Sequence, residues 1–136
     1  MTITIDGGAG ITFPDAVQQT NGMTMTGGNP LYYAARAWVT FDGSTTPPSI
    51  LSSANVASVS RSSTGLFTIT FTSNMPNANY AVAGMAFDSS SSAVVNIRSA
   101  PTASSFSVRV TGLSASAGTA STSPVNSEYV SLVVFA

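Results

Sequence analysis

The chain has 136 residues and a net charge of −1, and only 7% of its residues are charged, against about 25% in an ordinary soluble domain. It contains no histidine, lysine or cysteine, so the usual general base, the usual thiolate nucleophile and the usual zinc ligands are all missing. This composition argues against most kinds of enzyme and favours a surface used in assembly.

The hydrophobic content of 43% indicates a folded chain, and the length suits one domain. The four basic residues are all arginines scattered along the sequence, so we expect no nucleic-acid partner. Every apolar run is short and interrupted, so we expect no insertion into a membrane.

Residues 1–29 are predicted to form an extended N-terminal attachment arm, because their few apolar side chains cannot build a core of their own. Ile3 and Ile5 share one strand face, and Ile11 and Phe13 share another. Such pairs suit strand addition to the edge of a partner's sheet, which makes these four residues the candidate interface. The alternative is an edge strand of the same domain, followed by a long loop.

Residues 30–136 alternate between apolar and polar side chains with period two, which predicts an all-β, antiparallel β-sandwich of jelly-roll-like or immunoglobulin-like type. The predicted strands are 32–41, 55–61, 65–72, 79–87, 93–98, 106–111 and 128–135. Helix is limited to one turn near residues 50–54, and the low-complexity run 114–124 is predicted to be a loop.

Two strands define the predicted core. Phe67, Ile69 and Phe71 share one face and are expected to pack against the alternating apolar residues of strand 106–111. The last strand is apolar on both faces, which indicates a central position in a sheet or a contact with a neighbouring subunit.

The few acidic residues offer no catalytic or metal site. Asp42 and Asp88 stand at strand ends, where aspartate commonly makes Asx turns, and the acids form no calcium-binding cluster. We therefore expect no catalytic residue, no metal and no cofactor. Tyr32 and Trp38 are the candidate ligand or interface aromatics. A sugar stacked on Trp38 is one interpretation, and an anchor in the core or at a subunit interface is the other.

Three segments carry a resemblance to a known family: AWVTFDG at 37–43, NVASVSR at 55–61 and GLFTITFTSNMPNANYAV at 65–82. In this order they resemble a β-rich module of phage tail-fibre and other virion structural proteins, especially those of cyanophages and marine phages. The upstream segment GITFPDAVQQT at 10–20 is similar to a stretch that often precedes such modules, with Ala16 where the family usually has glycine.

The resemblance implies a structural component of a bacteriophage virion, first of all a short tail-fibre or adhesin-type module for host attachment. It also implies self-association as a homotrimer, with other virion proteins and a host surface glycan as further partners. A capsid decoration (cement) protein on the head is the alternative, which copy number per virion would separate from a fibre. A carbohydrate-binding module is the third interpretation, and the lack of a secretion signal in the first residues counts against it.

Overall fold

The regular elements of this protein are strands that follow the alternation of its sequence. The computed structural model describes residues 4–6, 10–12, 18–19, 35–116 and 119–136, and within these ranges it contains no helix. The strands are β1 (Thr4–Asp6), β2 (Gly10–Thr12), β3 (Gln18–Gln19), β4 (Ala35–Asp42), β5 (Ser49–Ala54), β6 (Val56–Ser63), β7 (Leu66–Phe71), β8 (Ala81–Phe87), β9 (Ser92–Ile97), β10 (Ser105–Ser116), β11 (Thr119–Pro124) and β12 (Tyr129–Phe135).

The chain divides into two units, Met1–Ala34 and Ala35–Ala136. In the first unit β1, β2 and β3 form a three-stranded antiparallel sheet in chain order. Ile5 lies opposite Ile11 in its register, and Thr12 lies opposite Gln18.

The second unit contains two antiparallel sheets. Sheet I has the strand order β5-β4-β12-β8, and sheet II has the order β6-β7-β10 with β9 and β11 also paired to β10. Val108 and Arg109 pair with both β7 and β9, so these two strands lie on opposite edges of β10. β7 pairs with the N-terminal half of β10, and β11 pairs with the C-terminal half along the same edge. This arrangement confirms the predicted antiparallel sandwich.

The core lies between the two sheets and is built from alternate residues of their central strands. Most of the buried apolar side chains come from β4, β7, β10 and β12, and they include the two predicted sets: Phe67, Ile69, Phe71, Phe106, Val108 and Val110. Phe41 of sheet I meets Phe67 of sheet II edge-on, with ring centroids 5.1 Å apart. The prediction that the strands 65–72 and 106–111 share one core is therefore confirmed.

The last strand occupies the central position that its two apolar faces indicated. β12 pairs with β4 on one edge and with β8 on the other. Ala35, at the start of β4, lies opposite Phe135, near the end of the chain. The Arg36 Nε donates a hydrogen bond of 3.3 Å to the backbone oxygen of Ala136, which holds these two ends of the sandwich together.

Two local predictions are wrong. The turn expected at residues 50–54 is not helical but belongs to β5, because its backbone pairs with β4, and such tertiary pairing overrides the weak local preference. The loop expected at residues 114–124 is mostly strand, since β10 extends to Ser116 and pairs with β11 from Thr111↔Pro124 to Ser116↔Thr119. Each of these residues carries a backbone N–H and C=O that can join such a ladder, whatever its side chain.

Candidate interaction surface

The outer side of sheet I carries an apolar surface. In β4, β8 and β12 one set of alternate residues enters the core, and the other set points away from it. The outward set contains six large apolar side chains, which we call the apolar face: Trp38, Met85, Phe87, Tyr129, Val133 and Phe135. Five of these are substantially exposed: Met85 69%, Phe87 60%, Tyr129 42%, Trp38 39% and Phe135 36%.

The strand register makes this face continuous. Val133 lies between Trp38 on β4 and Ala83 on β8, and Tyr129 lies opposite Phe87. Directly opposite side chains are about 5 Å apart across the strands, so each of these pairs is in contact range. A polar pair lies in the middle, where the hydroxyls of Thr40 and Ser131 are 3.4 Å apart, and Met85 lies opposite Ser131 on β8.

The exposed apolar area is comparable to the largest apolar patch of a typical monomer. At about 200 Å² per aromatic or methionine side chain, the five exposed fractions amount to roughly 500 Å². The largest apolar patch on a typical monomeric protein measures about 300–600 Å² and is often functional. The apolar face is therefore large enough to mark a contact with another molecule.

Sheet II presents a different outer surface. Its middle strands place two rows of hydroxyl residues there, which we call the hydroxyl face: Ser58, Thr70 and Ser105 in one row, and Ser60, Thr68 and Ser107 in the next. The hydroxyls of Thr68 and Ser107 are 2.9 Å apart and bond to each other. Val94 and Leu113 are also exposed on this side, but among the described residues the large aromatic side chains of the outer surfaces all belong to sheet I.

Asp42 and Asp88 stabilise turns at the ends of their strands. Asp42 accepts hydrogen bonds from the Ser44 amide at 2.8 Å and from the Ser44 hydroxyl at 2.6 Å. Asp88 accepts the corresponding pair from Ser90. The serine hydroxyls are the main cause that lowers the pKa of both aspartates. The predicted Asx-turn roles of Asp42 and Asp88 are confirmed.

The turn after β8 also forms a shallow depression of roughly 400 Å³, which is wide open to solvent. Its lining comes from residues 86–93, and the Ser89 hydroxyl there donates a 2.6 Å hydrogen bond to Glu128. In the part of the chain that the structure describes, no three acidic side chains gather in a way that could hold a metal ion.

The predicted site residues fall into two groups. Ile3, Phe13 and Tyr32 lie outside the described residues, while Ile5 and Ile11 are register partners in the sheet of the first unit. Trp38 lies on the apolar face, so a core position for this side chain is wrong. The inward positions beside it belong to smaller residues of β4, which leave room for the phenylalanines of the core.

Met85 and Phe87 are the surface residues that the sequence analysis missed. The signal for them is present in the strand 81–87, AVAGMAF, where both alternating sets are apolar. Val82, Gly84 and Ala86 occupy the inward positions of that strand, and its two largest residues, Met85 and Phe87, turn outward. An edge strand with its largest side chains on the outside indicates a contact surface.

Comparison with known proteins identifies no matching family model, no similar curated protein and no similar solved structure. No helix long and apolar enough to span a bilayer is present in the described ranges.

Proposed function

We propose that this chain is a structural, self-associating component of a bacteriophage virion, in the first place a short tail-fibre or adhesin-type module. The apolar face carries this proposal, because an exposed aromatic surface on an almost uncharged sandwich is suited to permanent assembly. The resemblance of residues 10–87 to virion modules supplies the biological setting. It also supplies the homotrimer, the location in the virion and the host surface glycan as partner.

The state of the carboxylates supports a structural role. A general acid works best when its pKa is raised toward neutral pH, whereas hydrogen bonds to serine lower the pKa of Asp42 and Asp88. The chain has no histidine or cysteine with which its many serines could be activated. Substitution of these aspartates should therefore change the stability of the fold and should not affect any enzymatic activity.

Copy number separates a fibre from a head decoration protein. Quantitative mass spectrometry of purified particles, calibrated against the major capsid protein, should find tens of copies per particle for a fibre module. Hundreds of copies would instead establish the capsid decoration role. The absence of the protein from purified particles would contradict both.

A carbohydrate-binding module is the second candidate, and the exposed ring of Trp38 favours it. A flat aromatic ring on a sheet surface offers a stacking platform with low conformational cost. Binding to host surface polysaccharide that is lost in Trp38→Ala and kept in the control Leu113→Ala would support it. Both variants change an exposed apolar residue on a strand, so their stability should be alike.

Attachment through residues 2–28 is the remaining part of the proposal. Deletion of this segment should leave a sandwich that still melts cooperatively, because every core residue that the structure describes follows Ala35. Incorporation of the truncated protein into particles should fail. Normal incorporation would move the attachment function onto the faces of the sandwich.

A further inference from the structure

We infer that the apolar face is covered by a second copy of this chain, in a homotypic contact centred on β8 and β12. This inference rests on the self-association in the proposed function and assigns it to one surface, with two-fold pairs of like faces in place of the homotrimer that the resemblance implies.

The composition of the apolar face is that of a protein–protein interface. The centres of such interfaces are enriched in tryptophan, tyrosine, phenylalanine, methionine and arginine, and depleted in lysine and acidic residues. The face contains the first four types, and Arg36 lies at its border, on the outward side of β4. The smaller outward residues of β8, Ala81 and Ala83, let a partner approach the sheet closely.

The exposed area also matches what a stable dimer requires. A standard interface covers about 800 Å² on each partner, and about 65% of a homodimer interface is apolar, which is roughly 520 Å². The five exposed side chains provide roughly 500 Å² on one copy. A second copy can therefore cover the face completely, with the hydroxyl pair of Thr40 and Ser131 as part of the polar remainder.

The charges favour a like partner. Arg36 and Asp42 stand at opposite ends of β4, and the outward positions between them carry no charge. The Asp42 carboxylate is engaged by Ser44 in its own turn. An uncharged surface does not repel its own copy, while a strongly charged partner would lose its hydration there without gaining a counter-charge.

The outermost strand of sheet I carries the most exposed part of the apolar face. β8 contains no charge and no proline, so nothing among its outward side chains opposes close approach by a second copy. Its outward side chains, Met85 and Phe87, are the most exposed large apolar residues among those the structure describes.

The experiment compares Met85→Glu with the matched control Leu113→Glu. Both positions are exposed apolar residues on strands, but Leu113 lies on the outer side of sheet II. Sedimentation equilibrium of the full chain at micromolar concentration should show an oligomer for the wild type and for Leu113→Glu. Met85→Glu should be monomeric, with the dissociation constant raised at least about 100-fold, because a carboxylate would be buried without a partner.

A second variant, at another position of the apolar face, separates loss of association from misfolding of Met85→Glu. Phe87→Gln introduces no charge and should weaken association by about 10-fold or more, while far-ultraviolet circular dichroism stays that of the wild type. A monomeric wild type would overturn the inference, and so would oligomers that persist in both Met85→Glu and Phe87→Gln. The copy number in particles tests the proposed function separately, so a failure of one is distinguishable from a failure of the other.

Discussion

The corner between β5 and β6 depends on one asparagine, and its replacement should be unusually costly for a partly exposed residue. Asn55 has a backbone φ of 54°, in the left-handed region, where the chain passes from sheet I to sheet II. Its Nδ2 donates to the backbone oxygens of Arg36 at 3.2 Å and Ser73 at 3.1 Å. Its Oδ1 accepts the Ser73 amide at 2.7 Å, so the side chain connects three segments.

The expected loss follows from these contacts. A typical hydrogen bond contributes about 0.5–1.5 kcal/mol, and partial exposure places these three near the lower limit, at about 1.5 kcal/mol together. Alanine in the left-handed region adds about 1 kcal/mol, since its Cβ crowds the following carbonyl. We expect Asn55→Ala to lower the free energy of unfolding by about 2–3 kcal/mol. Asn55→Gly should lose about 1–2 kcal/mol, because glycine accepts this backbone conformation.

Urea denaturation at equilibrium, followed by tryptophan fluorescence, measures both variants against the wild type. The slope with denaturant should stay unchanged, so that a shifted midpoint reports stability alone. A loss below about 0.5 kcal/mol for Asn55→Ala would show that the corner does not depend on this side chain. A larger loss for glycine than for alanine would refute the argument from backbone conformation.

Three further outcomes follow from single residues. Phe71→Ala should cost about 3–5 kcal/mol, because its ring is buried 5.6 Å from that of Phe106, and a loss below about 1 kcal/mol in a reversible melt would contradict this packing. Asp42 and Asp88 have a lowered pKa in the folded chain, so their ionised carboxylates stabilise the fold above the unfolded pKa of about 3.9. This stabilisation is lost as the pH falls through the folded pKa values, so melting temperatures should decline from pH 5 to 3. A variant with asparagine at both positions should show a flatter profile, and an unchanged one would refute the assignment. Burial raises the pKa of Tyr80 above its ordinary value, so the neutral phenol stabilises the fold below about pH 10, and this stabilisation is lost as the pH rises through the folded pKa. Tyr80→Phe should remove one late transition from a phenolate absorbance titration. A full set of transitions in that variant would contradict this.

Alternation in the sequence predicted the strands and their inward faces because burial imposes a period of two on each strand separately. Phe67, Ile69 and Phe71 could be assigned to the core from eight consecutive residues. The Asx turns of Asp42 and Asp88 were predictable for the same reason, since the serines that bond to them are two residues away. These features depend on local sequence, and the structure confirms them.

Pairing between distant strands could not be predicted in this way. β5 forms because its backbone meets β4, and β10 continues to Ser116 because β11 returns beside it. Nothing in the segments themselves distinguishes such strands from loops, since serine and alanine carry little preference. The position of Trp38 follows from alternation, but the apolar face around it required the order β4-β12-β8, which brings together residues almost a hundred positions apart.

The pairing of Ala35 with Phe135 has a mechanical consequence. The first and last residues of the sandwich enter and leave at one corner, on neighbouring antiparallel strands about 5 Å apart. Tension applied between residues 35 and 136 therefore separates β4 from β12 one hydrogen-bonded pair at a time, starting at the contact of Arg36 with Ala136. The other strand pairs of the sandwich lie off this line of force. The same geometry would allow residue 136 to be joined to residue 35 through a short linker, with new ends opened at an exposed turn such as Asp88–Ser91.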